Sequence, residues 1–144
     1  VIVQDFGVAR AVRQRAPELQ LHASTQMAVH NRQGVAFLAG RGFDRAVLAR
    51  ELTFEEMAEC AVQGIEIETF VHGALCVACS GQCLMSSLVG GRSGNRGLCA
   101  QPCRMQYSLG GRMDDHPMSL KDNCLVEYLQ QLEDAGVACP LRDL

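Results

Sequence analysis

The sequence predicts an α/β protein built on a parallel sheet, and three observations carry that reading. Four short, apolar, β-branched runs recur at a spacing of roughly 20 to 25 residues, each followed by a helix-like stretch, which is the pattern of repeated βα units. Residues able to cap a helix stand at the start of those stretches. The rhythm then breaks in one long segment rich in glycine and cysteine. With 48% hydrophobic and 20% charged residues in 144, the chain has the composition of an ordinary globular domain and can bury a core.

The first run is Val1 to Val3. Asp5 then caps a helix through Arg15, with Pro17 beyond it and Val8, Val12 and Ala16 on one stripe. The second run, Gln20 to Ala23, leads to a helix that Asn31 caps and that ends near Gly40, with Val35, Leu38 and Ala39 facing inward. The third, Arg45 to Leu48, leads to a helix toward Val62, opened by the capping-box pair Thr53 and Glu56. The fourth is Ile65 to Val71. Alternating units of this kind imply a parallel sheet covered by helices, either open and doubly wound or closed as a barrel, and four units are half of an eightfold barrel. Residues 72–118 lose the periodicity and read as an elaborated βα loop. Ser119 is a plausible N-cap for a helix running to Asp134, with Gly136 at its C-terminal turn. The organisation expected is therefore 1–71 as βα units, 72–118 as a cysteine-rich loop segment, and 119–144 as a helix and terminus. The chain begins within an apolar run and stops soon after that last helix, so it reads as an internal piece.

No stretch approaches the ~20 consecutive apolar residues that cross a bilayer, and no signal-peptide pattern opens the chain, so a soluble, cytoplasmic protein is expected. A net charge of −3 excludes an overall basic footprint for nucleic acid. Arg92, Arg96 and Arg104 could still form a local basic patch within the glycine-rich loop. Eight cysteines in a chain with long periodic apolar segments favour metal ligation over a disulfide scaffold. Cys76, Cys83, Cys99 and Cys103 are spaced C-x6-C-x15-C-x3-C, and four thiolates on a glycine-rich loop can converge on one metal centre. A structural zinc site is the alternative, since Cys76 and Cys79 form a C-x2-C pair. Cys60 and Cys124, on apolar helical stripes, read as small buried hydrophobes. Cys79 reads as a loop thiol or alternate ligand.

In βα proteins with a barrel sheet the reacting groups stand at the C-terminal ends of strands. That selects His22 and Gln26 after the second run, Arg50 and Glu51 after the third, and Glu68 and His72 within and after the fourth. His22, Glu51, Glu68 and His72 are the candidate catalytic group, expected together at one mouth beside the cysteine loop. His30 and His116 read as structural.

The segment Glu68-Thr-Phe-Val-His-Gly-Ala-Leu-Cys76-Val-Ala-Cys79-Ser-Gly-Gln-Cys83-Leu-Met-Ser86 resembles the signature of the collagenase-like peptidase U32 family. Val3-Gln-Asp-Phe-Gly-Val-Ala-Arg10, His22-Ala-Ser-Thr-Gln26, Leu48-Ala-Arg-Glu-Leu52 and the stretch from Gly90 to Arg104 look like further family motifs in family order. The resemblance fails beyond Gly136, where Val137 to Leu144 departs from the usual continuation. It implies a partial TIM-type (β/α) barrel, about the second half, with a cysteine-rich insertion and a following helix. It also implies a 4Fe-4S iron–sulfur cluster on Cys76, Cys83 and Cys99, with Cys103 or Cys124 as the fourth ligand and zinc as the alternative metal. Two activities follow from it: hydroxylation of a base in tRNA or rRNA, with prephenate as a candidate co-substrate, and cleavage of collagen-like or other peptides. A metal-stabilised binding domain without catalysis is the third reading. The partners implied are RNA or a peptide, with a second U32 subunit as a candidate.

Overall fold

A computed structural model describes residues 1–61 and 64–142. Three βα steps and a fourth strand lie in the order expected: β1 (Ile2–Val3), α1 (Phe6–Arg15), β2 (His22–Ala23), α2 (Arg32–Ala39), β3 (Arg45–Val47), α3 (Phe54–Glu59) and β4 (Glu66–Gly73). Each helix starts where a side chain satisfies an amide left free in its first turn. Asp5 accepts from Val8 N–H at 2.9 Å and Asn31 from Gly34 N–H at 2.8 Å. Thr53 and Glu56 close a reciprocal box at 3.3 and 2.8 Å. Val62, the expected end of the third helix, lies outside the described residues.

Strands β1 to β4 add side by side in sequence order, all parallel. The mixed α/β architecture with a mainly parallel sheet is thus as expected. The second run forms only a two-residue strand, because the Leu21 amide is taken at 2.7 Å by Asp44 Oδ2 instead of by a neighbouring strand. Alternation along the strands sorts the side chains. Ala23, Ala46 and Ile67 are in register and buried, and with Leu21, Val35, Leu38 and Leu48 they make the core beneath the helices. Burial of each larger aliphatic side chain here contributes about 1.5–3 kcal/mol. The alternate row is polar: His22, Arg45 and Glu66 are in register, and Glu68 follows two residues on.

Several expectations need correction. In α1 it is Ala9, not Val8, that is buried; Val8 is 51% exposed. One residue is about 100° of helical rotation, and the face presented to the sheet runs through Ala9 and Val12. The helix expected from Ser119 to Asp134 is replaced by β7 (Asn123–Cys124), a 3₁₀ turn at Val126–Tyr128, and the six-residue α5 (Leu129–Asp134). Tertiary contacts override helix propensity there: Arg104 holds Asp122 at 2.8 Å, Asn123 Nδ2 donates to Phe70 O at 3.2 Å, and β7 pairs antiparallel with His72–Gly73. Cys124 is consequently exposed rather than a core residue. Gly136 does terminate α5 with φ +91°, and β8 (Val137–Arg142) follows, parallel to β4. Residues 72–118 also hold more regular structure than expected, in α4 (Met85–Gly90) and in a hairpin of β5 (Tyr107–Leu109) and β6 (Arg112–Asp114). Gly110 and Gly111, both at positive φ, supply the left-handed turn such a two-residue connection demands. No helix among the described residues is long and apolar enough to cross a membrane.

Candidate functional site

Beyond the C-terminal ends of β2, β3 and β4, the segment after β4 folds back and encloses a cavity of about 340 Å³. Cys76, Cys83, Cys99 and Cys103 all line it, with Thr25 and Gln26 from the turn after β2, Arg50 from the loop after β3, and Arg104. Among the described residues no carboxylate or imidazole lines that wall, whose reactive groups are thiols and guanidiniums beside the neutral polar Thr25, Gln26 and Gln101. Cys76, Cys83 and Cys103 are half-buried and Cys99 is exposed. Two sulfurs accept backbone amides from two residues on: Met85 N–H to Cys83 at 3.3 Å and Gln101 N–H to Cys99 at 3.4 Å. Neutral thiol sulfur is a weak acceptor, and hydrogen bonding to sulfur is one way a protein tunes a thiolate-held cluster. The Cys103 thiol is pushed above its usual range, first by burial and then by the neighbouring Cys76 and Cys99, with Arg104 opposing and Cys83 adding to the effect. Cys103 therefore lies within electrostatic reach of Cys76, Cys99 and Cys83.

Among the described residues no three metal-binding side chains are drawn in to form a ready site. The donor set nevertheless fits a thiophilic centre, being four cysteines on one cavity with no competing oxygen anion. Cys124 and Cys79 are exposed and outside that wall, and Cys60 is fully buried beneath α3. Burial, then Glu59 and Glu56, raises the Cys60 thiol, which suits a structural cysteine.

The two arginines of the wall are fixed in place. Arg50 lies 4.1 Å over the Phe70 ring and donates to Ala74 O at 3.1 Å. Arg104 pairs with Asp122 and reaches Leu75 O at 3.3 Å.

The four residues expected at one mouth are not brought together. Glu68 is 4% exposed and bound to Arg45 at 2.7 Å, which also holds Glu66 at 2.6 Å. His22 is beside them, its pKa lowered by burial and then by Arg45, against an upward pull from Glu68 and Asp44. This polar row belongs to the strand starts, not to the cysteine cavity. Glu51 is elsewhere, with its carboxylate on Ser80. Burial opposes its ionisation, but the Ser80 hydroxyl and amide outweigh that and hold it below the usual carboxylate range. His72 is exposed near the end of β4, two residues before Ala74 in the cavity wall. His30 and His116 sit on the carbonyls of Ala28 and Arg104, both at 2.8 Å. Of the other polar wall residues, Gln26 and Arg50 are candidates the sequence offers at strand ends, and Arg104 belongs to the candidate basic patch. Nothing in the sequence spacing marked Ser80, whose partner is 29 positions away.

Fold and site define a class: an α/β chain with a mainly parallel sheet that carries, at the carboxyl edge of its strands, a cavity lined by four cysteines and two arginines. The chain belongs to peptidase family U32, whose family model matches residues 1–140. It is 44% identical over 144 residues to the 23S rRNA 5-hydroxycytidine C2501 synthase of Escherichia coli, covering 95% of this chain and 22% of that protein. It is 38% identical over 150 residues to the tRNA hydroxylation protein P1 of Bacillus subtilis, covering 95% and 36% respectively. A protein named Collagenase from Porphyromonas gingivalis is 35% identical over 139 residues, covering 83% and 33%. The chain therefore spans well under half the length of these relatives. No solved structure matches it.

Proposed function

We propose that this chain is the cysteine-bearing part of an enzyme that hydroxylates a base in tRNA or rRNA, with Cys76, Cys83, Cys99 and Cys103 holding a 4Fe-4S cluster. The observation that carries the reading is the single cavity walled by those four cysteines and two fixed arginines. Two similar proteins are named for rRNA or tRNA hydroxylation, which supports RNA as substrate class. A cluster held there would supply one-electron chemistry beside the substrate. Cys103 is favoured as the fourth ligand over Cys124 because it lines the cavity and Cys124 does not. Sequential strand order with no reversal supports closure into a (β/α) barrel in the longer protein.

The chain's own groups then have distinct tasks. Arg50 and Arg104 present preorganised positive charge to an anionic substrate group, either a phosphate of the RNA or the carboxylates of a co-substrate such as prephenate. Arg92 and Arg96, both exposed on the loop, extend that charge toward the nucleic acid. His72, exposed near the end of β4 and two residues before the cavity-lining Ala74, is the candidate proton carrier of the expected four. A thiol peptidase would instead need a cysteine activated by an imidazole. Among the described residues no histidine is hydrogen-bonded to a thiol; His30 and His116 sit on backbone carbonyls.

The test uses the intact protein purified without oxygen. Iron and sulfide quantitation should show a cluster, and nucleoside mass spectrometry should show hydroxylated base restored to RNA from a strain lacking the gene. Metal-free protein that cleaves peptides and leaves RNA unmodified overturns the reading.

A further inference from the structure

Glu51 follows β3, and its two carboxylate oxygens accept the Ser80 amide and the Ser80 hydroxyl, both at 2.6 Å. Ser80 is 3% exposed and has φ +44°, a conformation that a residue other than glycine seldom holds without an outside partner. With Gly81 at φ +73°, it makes the bend between Cys76 and Cys83. Gln26, after β2, meets the same loop from the neighbouring strand. Its carbonyl accepts Gln82 Nε2 at 2.8 Å, and its own Nε2 donates to Gly94 O at 3.2 Å. A Cβ on Gly94 would stand 3.7 Å from Cys99 Cβ, so the Gly94 backbone is packed on that cysteine. Gln26 thus joins the arm that carries Cys83 to the arm that carries Cys99.

The geometry points to Glu51 as a positioning residue: it latches the bend at Ser80 and, with Gln26 bridging the two arms, sets Cys83 and Cys99 on a common cavity. Both carboxylate oxygens are occupied by donors that favour the ionised form, so the group is committed to holding the loop and not to carrying a proton. Glu51 is otherwise exposed, yet its partner is buried, and the contact ties the end of one strand to a loop that has little core of its own. The consequence for a metal centre rests on the function proposed above, whereas the latch itself does not.

The test compares Glu51→Ala, Glu51→Gln, Ser80→Ala and the double variant Glu51→Ala/Ser80→Ala in the intact protein. It reads amide hydrogen exchange across residues 76–103, iron content and the visible spectrum. Loss of the latch should speed exchange in that loop by about tenfold, as expected when one charge-assisted bond guarding a local opening is removed. Iron content should fall or the spectrum shift in both single alanine variants. The double variant should be no worse than Glu51→Ala, and Glu51→Gln, which keeps an oxygen to accept the Ser80 amide, should recover most of the protection. If Glu51→Ala does not fold, Ser80→Ala and Glu51→Gln carry the comparison. Normal exchange, iron and spectrum in Glu51→Ala and Ser80→Ala, with turnover lost only at Glu51, overturns the latch and makes Glu51 a proton carrier. Should the wild type hold no metal and leave RNA unmodified, the exchange data still decide the latch, so its failure and that of the functional reading remain separate.

Discussion

Cys83 and Cys99 each accept an amide from two residues on, and all four cysteines of the proposed centre line one cavity. Removing one thiolate from a four-cysteine site degrades the whole centre instead of weakening it by a quarter. On the function proposed above, serine at Cys76, Cys83, Cys99 or Cys103 of the intact protein should abolish both iron binding and RNA hydroxylation, as read by metal analysis and nucleoside mass spectrometry. Cys60→Ser should behave differently: the thiol is fully buried in the apolar core, and a poorly satisfied hydroxyl there costs about 1–3 kcal/mol, with iron retained. A thiol peptidase predicts the other pattern, in which a single cysteine kills activity and three are dispensable. At this scale much of the site was readable. The cavity cysteines stood out by glycine context together with the resemblance to the family signature, since spacing alone also allowed Cys79, while the separation of His22 and Glu68 from Glu51 was not visible, since alternation and register along the strands decide it.

Between β2 and β3 the joint is electrostatic. Asp44 accepts the Leu21 amide, pairs with Arg13 at 2.5 Å, and is held below its usual range, chiefly by the Leu21 bond. Its depressed folded pKa gives stability that is present above the unfolded value of about 3.9 and lost as pH falls through the folded one. His22 is also depressed, here by burial and Arg45, so the unfolded chain takes up that proton first as pH drops below about 6.5. The intact protein's melting temperature should fall in two stages on acidification, and Asp44→Asn should flatten the lower one. Thermal melts between pH 7 and pH 3 check this; an unchanged lower stage in the variant would show that another carboxylate governs it. In the core, Leu38→Ala should cost about 2–5 kcal/mol at a site only 1% exposed. The helices of this region were legible because caps and apolar period act within a few residues. The segment after Ser119 was not, because its conformation is set by Arg104, Phe70 and His72, partners that no local pattern reveals.

At the scale of the whole molecule, the apolar core lies on one face of the sheet, beneath α1, α2 and α3. The opposite face carries the polar row of His22, Arg45 and Glu66, and among the described residues β1 pairs only with β2. Ile2 on that edge strand is 63% exposed, and Leu88 and Val89 of α4 are 82% and 71% exposed. An open parallel edge carrying an exposed aliphatic side chain, with further exposed aliphatics on α4, favours pairing with another chain. The matched relatives supply more chain than this one, which spans 22% and 36% of two of them, and closure of a barrel would remove both sheet edges. Expressed alone, these 144 residues should therefore dimerise or aggregate, and the loop between Cys76 and Cys103 should be cut readily by protease once a chelator is added, since its glycines build no core to hold it. Sedimentation velocity and limited proteolysis, run on the isolated chain and on the intact protein, address both points. A monodisperse monomer that melts cooperatively would show that the sheet needs no further strands, and cleavage within residues 77–102 that is indifferent to the chelator would show that the loop is ordered by Glu51, Gln26 and Arg104 without any metal.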